Sequence, residues 1–409
     1  MARTQAALNA NESSSTAASP GVRGLERWAS RALVSGARQR CMLEALWQAG
    51  TLSRQRLHEV TGIRPNTVGL DTAALITAGV IREMDVVTGQ RGRPAVPLEI
   101  DPTTCNVVGL AIEPGRVGVV RLNLWGNVLE SRQRTSSGEA STMVAAARSL
   151  LKSHVGPATL AVGMSVTGSV DPVEQVSLYG SAWPRTAVVS LQPLCEMIGD
   201  RALVLGNDMH ALAARWILIQ KGVQKEDVLL VRFGDGQFGA SLLIEGRPNR
   251  GCLIGANELG HTRFPVETER CHCGQSGCLE RICSSAFVNR IAHRPGDLLQ
   301  RAAAYSGQDD ALDRMIELVA MGMANAVNFS RVHRLVLVSE MMRYPQFAQA
   351  MVSAIRSRIL PELAQRVQIE LWQQVAGQMA ETAGWLGLAN LFLDGWGTAS
   401  DLTAPSSKG

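Results

Sequence analysis

Hydrophobic positions near the start of this chain recur with the period of a helix. Over 38–49, Cys41, Leu43, Leu46 and Trp47 share one helical face and Gly50 follows as a stop. Ser53 is placed to cap a second short helix over 54–60 whose apolar positions are Leu57 and Val60, and Thr61-Gly62-Ile63 reads as the turn out of it. A third helix starts at Pro65 or Asn66, because proline suits a first turn, and runs through Val68, Leu70, Ala74 and Leu75 to Gly79. Residues 80–84 then read as a strand. Three short helices, a glycine turn and a strand predict a winged helix-turn-helix over 36–95, with the third helix entering a major groove.

Further along, the period alternates. Strand-like runs at 107–112, 117–124 and 159–166 surround a helical stretch at 142–151, and the pattern returns with strands at 203–205, 228–233 and 240–244 around a helix at 209–220. This is α/β layering with mixed sheets, joined in one place by a hairpin at Trp125-Gly126-Asn127. At 409 residues and 46% hydrophobic composition the chain can bury large cores. Polar, Ser-rich and Pro-containing ends predict flexible tails over 1–35 and 396–409, leaving an effector body over 104–395. No run of eighteen apolar residues occurs, so no membrane insertion and a cytoplasmic location are expected.

The formal net charge is only +4, but it is unevenly spread: 23–93 holds eleven arginines and no lysine against six carboxylates. On the winged-helix reading, Arg64, Asn66 and Thr67 open the third helix toward base edges and phosphates. Arg54 and Arg56 approach the backbone, and Arg91 and Arg93 sit in a glycine-rich wing suited to the minor groove. Asp71 would repel phosphate if it faced the duplex. A small helical module that binds protein is the alternative; the arginine excess favours double-stranded DNA.

The densest chemistry lies at 258–280. His261, Cys271, Cys273 and Cys278 offer the ligand count of a closed structural Zn2+ site, and Gly274 and Gly277 permit the turn between the thiols. His272 is read as a solvent-facing bystander and is the rival fourth ligand. A Cys271–Cys278 disulfide is the other reading, and the absence of an apolar secretory segment speaks against it. Cys41, Cys105, Cys195, Cys252 and Cys283 read as packed small hydrophobes. Glu258 and Glu280 flank the knuckle, and two lobes with a cleft between them would bring both near Asn207, Asp208 and His261. Such a mixture of acceptors and an amide suits a polyhydroxylated ligand.

Four segments together resemble the ROK family of repressors, open reading frames and sugar kinases. They are Glu258-Leu259-Gly260-His261, Cys271-x-Cys273-Gly274-x-x-Gly277-Cys278-x-Glu280, Gly206-Asn207-Asp208 and Gly163-x-Ser165-Val166-Thr167-Gly168-Ser169-Val170-Asp171. The winged-helix front end and Arg91-Gly92-Arg93-Pro94 are similar to the family's repressor branch, whose free-standing kinases lack them. The resemblance implies an actin-like, ribonuclease H-like body of two α/β lobes. It implies a sugar pocket lined by Gly168, Ser169, Asn207, Asp208, Glu258, His261 and Glu280, and zinc on His261, Cys271, Cys273 and Cys278.

The family's kinases open the body with Asp-x-Gly-Gly-Thr, where this chain has Ala111-Ile112-Glu113-Pro114-Gly115. Their second phosphate loop, Gly-Thr-Gly, reads Gly234-Asp235-Gly236 here, and Leu335 to Glu340 lacks the glycine pair usual after that strand. Carboxylates in place of hydroxyls, and a proline that removes a donor, oppose a triphosphate. Asp208, the general-base position, is retained, which sugar binding alone explains. The reading is therefore a non-enzymatic repressor of sugar uptake or catabolism genes, binding an operator as a homodimer or higher homo-oligomer and answering to a sugar. The alternatives are an ATP-dependent sugar kinase with an accessory domain, and a repressor controlled by a sugar-transport protein.

Overall fold

A computed structural model describes residues 36–85, 95–180, 182–183, 188–220, 226–250, 257–373 and 379–396. Arg91, Arg93, Cys252, the segment 1–35 and 397–409 lie outside the described residues.

The winged module forms as the periodicity predicts. Its helices are Ala37–Ala49, Arg54–Thr61 and Pro65–Thr77. The Ser53 hydroxyl accepts from the Arg56 amide at 3.2 Å and caps the second, while Pro65 occupies the first turn of the third. Strands β1 (Thr51–Ser53), β2 (Ile81–Glu83) and β3 (Pro97–Ile100) make an antiparallel sheet in the order β1-β3-β2. The central strand β3 lies beyond residue 95, so the module's sheet extends past the boundary expected from sequence. Three apolar assignments change: Val60 is 51% exposed, Leu70 is 75% exposed, and Cys41 is exposed on the outside of its helix. A strict helical period does not show which short helix has a spare outer edge.

The first lobe contains β4 (Asn106–Glu113), β5 (Arg116–Asn123), β6 (Val128–Thr135) and β7 (Thr159–Val166). A small sheet follows from β8 (Ser169–Asp171), β9 (Val176–Tyr179) and β10 (Val189–Ser190), and then β11 (Ala202–Asn207) returns to the lobe. The second lobe holds β12 (Val228–Gly234), β13 (Gln237–Ile244), β14 (Arg247–Pro248), β15 (Arg334–Val338) and β16 (Gln368–Trp372). The sheet orders are β11-β7-β4-β5-β6 and β14-β13-β12-β15-β16. In each, the first three strands of the lobe run antiparallel and the last two add in parallel, so one topology occurs twice. Strand β4 is buried along its whole interior, whereas β6, with Glu130, Arg132 and Arg134, is the exposed and charged edge.

Every residue of the helix Met379–Phe392 except Glu381 is buried, and Glu381 pairs with Arg215 at 3.0 Å, as suits a largely apolar helix packed on nearly all sides. It lies against the first sheet so closely that a Cβ on Gly163 would stand 1.9 Å from the Ala383 carbonyl oxygen. Gly163→Ala is therefore expected to force helix and sheet apart and to cost about 1–3 kcal/mol, read as a lower denaturant midpoint at unchanged slope.

The same helix joins the winged module to the body. Trp47 stacks on Trp125 and Phe392 at centroid distances of 5.1 Å each and meets Trp385 edge-on at 6.0 Å. Its indole Nε1 donates to the Leu218 carbonyl at 2.8 Å, and Trp125 Nε1 donates to Ile100 of β3 at 3.0 Å. Module and first lobe thus share one hydrophobic core, from Met42 and Leu46 through Trp47 to Trp385 and Phe392.

Candidate ligand cleft, metal knuckle and DNA-facing helix

A cleft open to solvent is lined from both lobes. From the first lobe come Thr167 and Gly168 after β7, Tyr179 at the end of β9, and Asn207, Asp208 and Met209 where β11 passes into the helix Asp208–Ile219. The second lobe supplies Arg232 of β12 and Gln237 to Ala240 of β13, with Asn257, Glu258, His261, His272 and Glu280. Of the sugar-site residues read from sequence, Gly168, Asn207, Asp208, Glu258, His261 and Glu280 meet here. Ser169 does not line the cleft; it is buried beside the Tyr179 hydroxyl.

Local chemistry explains these placements. Asn207 caps its helix, its side-chain oxygen accepting from the His210 amide at 2.8 Å, which fixes the neighbouring Asp208 at the helix start. Gly168 has φ +116° and lies where a Cβ would meet the Tyr179 carbonyl at 2.3 Å, so only glycine lets the β7 end and the β9 end close on one another. Tyr179 and Glu258 both line the cleft and interact there.

Burial governs the electrostatics. It raises the Asp208 carboxyl, against the pull of Arg232, whose Nη1 donates to Asp208 Oδ2 at 3.1 Å. Burial lifts Glu258 to about 7 and Glu280 to about 8, and the Tyr179 phenol to about 12. Burial and then His272 lower His261, which keeps its imidazole neutral and able to ligate. The cleft thus offers carboxyls that hold a proton more readily than exposed ones, an amide and a guanidinium: donors and acceptors in alternation.

The knuckle adjoins this cleft. Cys271 Sγ lies 3.6 Å from His261 Nδ1, Cys273 Sγ lies 3.6 Å from Cys278 Sγ, and the four ligand atoms fall within 4.8 Å of one another. Ligands about 2.0–2.3 Å from one centre in a tetrahedron stand roughly 3.3–3.8 Å apart, so the set fits a metal ion. All three cysteines are free thiols. Among the described residues His261 is the histidine grouped with all three. Its Nε2 faces Glu258 at 3.7 Å and Glu280 at 3.9 Å, so one ring touches both knuckle and cleft. His272 is not a solvent-facing bystander: it is half-buried, 3.4 Å from Glu280 and 3.8 Å from Cys271 Sγ, because the Cys271–Cys273 turn folds it inward.

Glu113 and Asp235, the carboxylates read from sequence as opposing a triphosphate, are both engaged within the chain. Arg116 grips Glu113 with two bonds of 3.1 Å, and Asp235 accepts from the amide and hydroxyl of Ser285, both at 2.6 Å. The donors at the start of the helix Ser285–Ala292 are thereby engaged by the chain itself.

In the winged module Arg56, Arg64 and Asn66 are exposed and Thr67 is half-buried. Arg54 turns inward, donating to Thr72 at 3.1 Å and Glu83 at 2.8 Å, so it braces the second helix against the third and β2 rather than reaching outward. Asp71 is also withdrawn, 3.4 Å from Arg38 with its side chain 14% exposed. Tyr179 and Arg232 were not singled out by sequence; each is one polar residue in a strand, visible only once the strand ends converge.

Two repeated α/β lobes around a polar cleft define a protein with the actin-like, sugar-kinase-type fold. The profile of the ROK family matches residues 115–394, and the chain belongs to that family. The N-acetylglucosamine repressor of Escherichia coli O6:H1 is 26% identical over 253 residues, which span 59% of this chain and 61% of that protein. The crystal structure of a ROK family transcriptional regulator, described as a homolog of the E. coli MLC protein, has a TM-score of 0.73 at 19% identity and covers 87% of this chain and 96% of its own. A ROK hexokinase from Thermus thermophilus has a TM-score of 0.55 at 20% identity over 69% of this chain and 97% of its own. Among the described residues no helix is long and apolar enough to cross a membrane.

Proposed function

We propose that the chain is a DNA-binding transcriptional regulator, a repressor of sugar uptake or catabolism genes whose hold on its operator is set by a sugar in the cleft. The observation that carries this reading is the course of the helix Asp208–Ile219. Its first residue pairs with Arg232 in the cleft, and the Leu218 carbonyl in its last turn accepts the bond from Trp47 of the winged module. At 1.5 Å per residue, these twelve residues make a rod about 18 Å long between the two sites. A sugar that bonds Asn207, Asp208 and Glu258 favours one placement of the rod, and Trp47 transmits that preference to the helices behind it. Such a shift is no larger than the difference in the sugar's affinity for the two placements.

Zinc is the metal assigned to the knuckle, held by His261 Nδ1 and the Sγ atoms of Cys271, Cys273 and Cys278. With four protein ligands and none left for substrate, a bound ion would supply structure rather than chemistry and would hold His261 in place beside the cleft. The chain is read as a binder and not a kinase. Glu113, Pro114 and Asp235 set charge and a lost donor where a triphosphate needs amides and hydroxyls, and Asp208 is tied to Arg232. The N-acetylglucosamine repressor among the relatives supports this choice. A homodimer follows from the two-fold symmetry of helix-turn-helix recognition, with half-sites about 34 Å apart or a multiple of that spacing.

The test is titration of the zinc-loaded protein, bound to a duplex selected from a random pool, with hexoses, pentoses and N-acetylated amino sugars, with and without ATP. One sugar is expected to release the duplex without ATP and without ADP formation. Sugar-stimulated ADP release would overturn the reading in favour of a kinase. Duplex retention under every sugar, with release by a sugar-transport protein, would replace the effector by a protein partner.

A further inference from the structure

The outward face of the helix Pro65–Thr77 carries no charged residue. Asn66, Leu70, Ala73 and Thr77 are exposed and stand at i, i+4, i+7 and i+11, which lines them up along one side. Leu70, in the middle, is 75% exposed, while Val68, Thr72 and Leu75 on the opposite side fill the module's core. The carboxylate of Asp71 lies off this stripe, turned toward Arg38. Arg64 precedes the stripe at the helix start and is exposed, while Arg56 on the preceding helix is exposed and paired with Glu59.

We infer that this face reads A·T base pairs in the major groove, with Leu70 packed on the C5-methyl of a thymine and the Asn66 amide paired to an adjacent adenine. This inference rests on the DNA-binding reading and specifies what is read. Guanine is read in that groove through O6 and N7 by an arginine or lysine, and the stripe has neither. Thymine's methyl is the apolar group that the groove floor presents, and adenine's N6 and N7 match an asparagine amide. Apolar contact in the centre with Arg64 at the helix start complements a groove whose floor carries methyls and whose rims carry phosphates. A second copy of the chain on the same face would bring Arg64 against its own equivalent, which charge disfavours.

The experiment uses the full chain and duplexes enriched from a random pool. Each thymine of an enriched duplex is replaced in turn by deoxyuracil, which removes only the methyl. One thymine per half-site is expected to be sensitive, its replacement weakening binding about fourfold, as for one buried methyl group. Leu70→Ala, a change at an exposed position, is expected to bind thymine and deoxyuracil duplexes alike, with the affinity of the unaltered chain for the deoxyuracil form.

Tolerance of deoxyuracil at every position would overturn the inference, as would Leu70→Ala weakening both duplexes by one common factor. Enrichment of G·C pairs beneath the helix would also overturn it while leaving DNA binding intact. If no duplex is enriched and binding shows no salt dependence, the DNA-binding reading itself falls. A change of oligomeric mass in Leu70→Ala without DNA would make the face a contact between copies instead.

Discussion

Replacing Cys278 with serine is expected to empty the knuckle of zinc and to loosen the cleft wall with it. Cys278 is fully buried, and it begins the turn Leu279–Ile282 that carries Glu280, its own carbonyl accepting from the Arg281 amide at 2.9 Å. Burial pushes the thiol up, so without a metal this side chain is a neutral thiol among other thiols, and binding an ion must displace its proton. A serine hydroxyl does not ionise under those conditions. Affinity should fall by more than the roughly 10–100-fold that follows loss of an outer hydrogen-bonding partner of a metal ligand. Metal content per chain and thermal melting measure the effect, and sugar titration shows whether Glu258, His261 and Glu280 lose their common placement. Stoichiometric zinc in the Cys278→Ser protein would remove this residue from the ligand set.

The knuckle was legible because its chemistry is local: three thiols and a histidine within eighteen residues, spaced by glycines, allow few other structures. The strands at 107–112, 159–166 and 228–233 were legible for a related reason, since central strands buried on both faces are apolar along their length. The helix start at Ser53 followed from side-chain capping and that at Pro65 from the fit of proline to a first turn, both local to a few residues.

What stayed hidden depends on partners far away in sequence. Tyr179 enters the cleft because β8 and β9 fold back over Gly168, and neither strand has a period that announces it. Arg54 looked like a phosphate contact as long as Thr72 and Glu83, eighteen and twenty-nine residues away, could not be placed beside it. His272 looked idle because a turn's inward residue depends on the metal knuckle's fold and not on its spacing. The helix Met379–Phe392 is apolar apart from Glu381, Thr382 and Asn390, and its role as the floor beneath both β7 and Trp47 follows from small residues meeting glycines across the fold.

Trp47 separates the mechanical role of this joint from its role in signalling. Trp47→Ala removes a side chain that is 4% exposed and packed on three aromatic rings, which is expected to cost about 3–5 kcal/mol, in the range of large-to-small aromatic substitutions. Because one core runs from the module through the first lobe to Val228, Leu230, Val336 and Val338 of the second, the loss should appear as a lower denaturant midpoint of the body and not of the winged module alone. Trp47→Phe retains an aromatic ring and most of the packing but deletes the donor to the Leu218 carbonyl, one buried hydrogen bond worth about 1 kcal/mol with a carbonyl left unpaired. If the helix Asp208–Ile219 carries the sugar signal, Trp47→Phe should bind both sugar and operator close to normally. The sugar should then weaken operator binding several-fold less than it does in the unaltered chain. By reciprocity the operator should also lose its effect on sugar affinity, and the two changes should be equal. Equal loss of both affinities would mean that Trp47 holds the joint together and that the signal travels elsewhere. Unchanged coupling in Trp47→Phe would show that aromatic packing on Phe392 and Trp385 transmits the shift without the hydrogen bond.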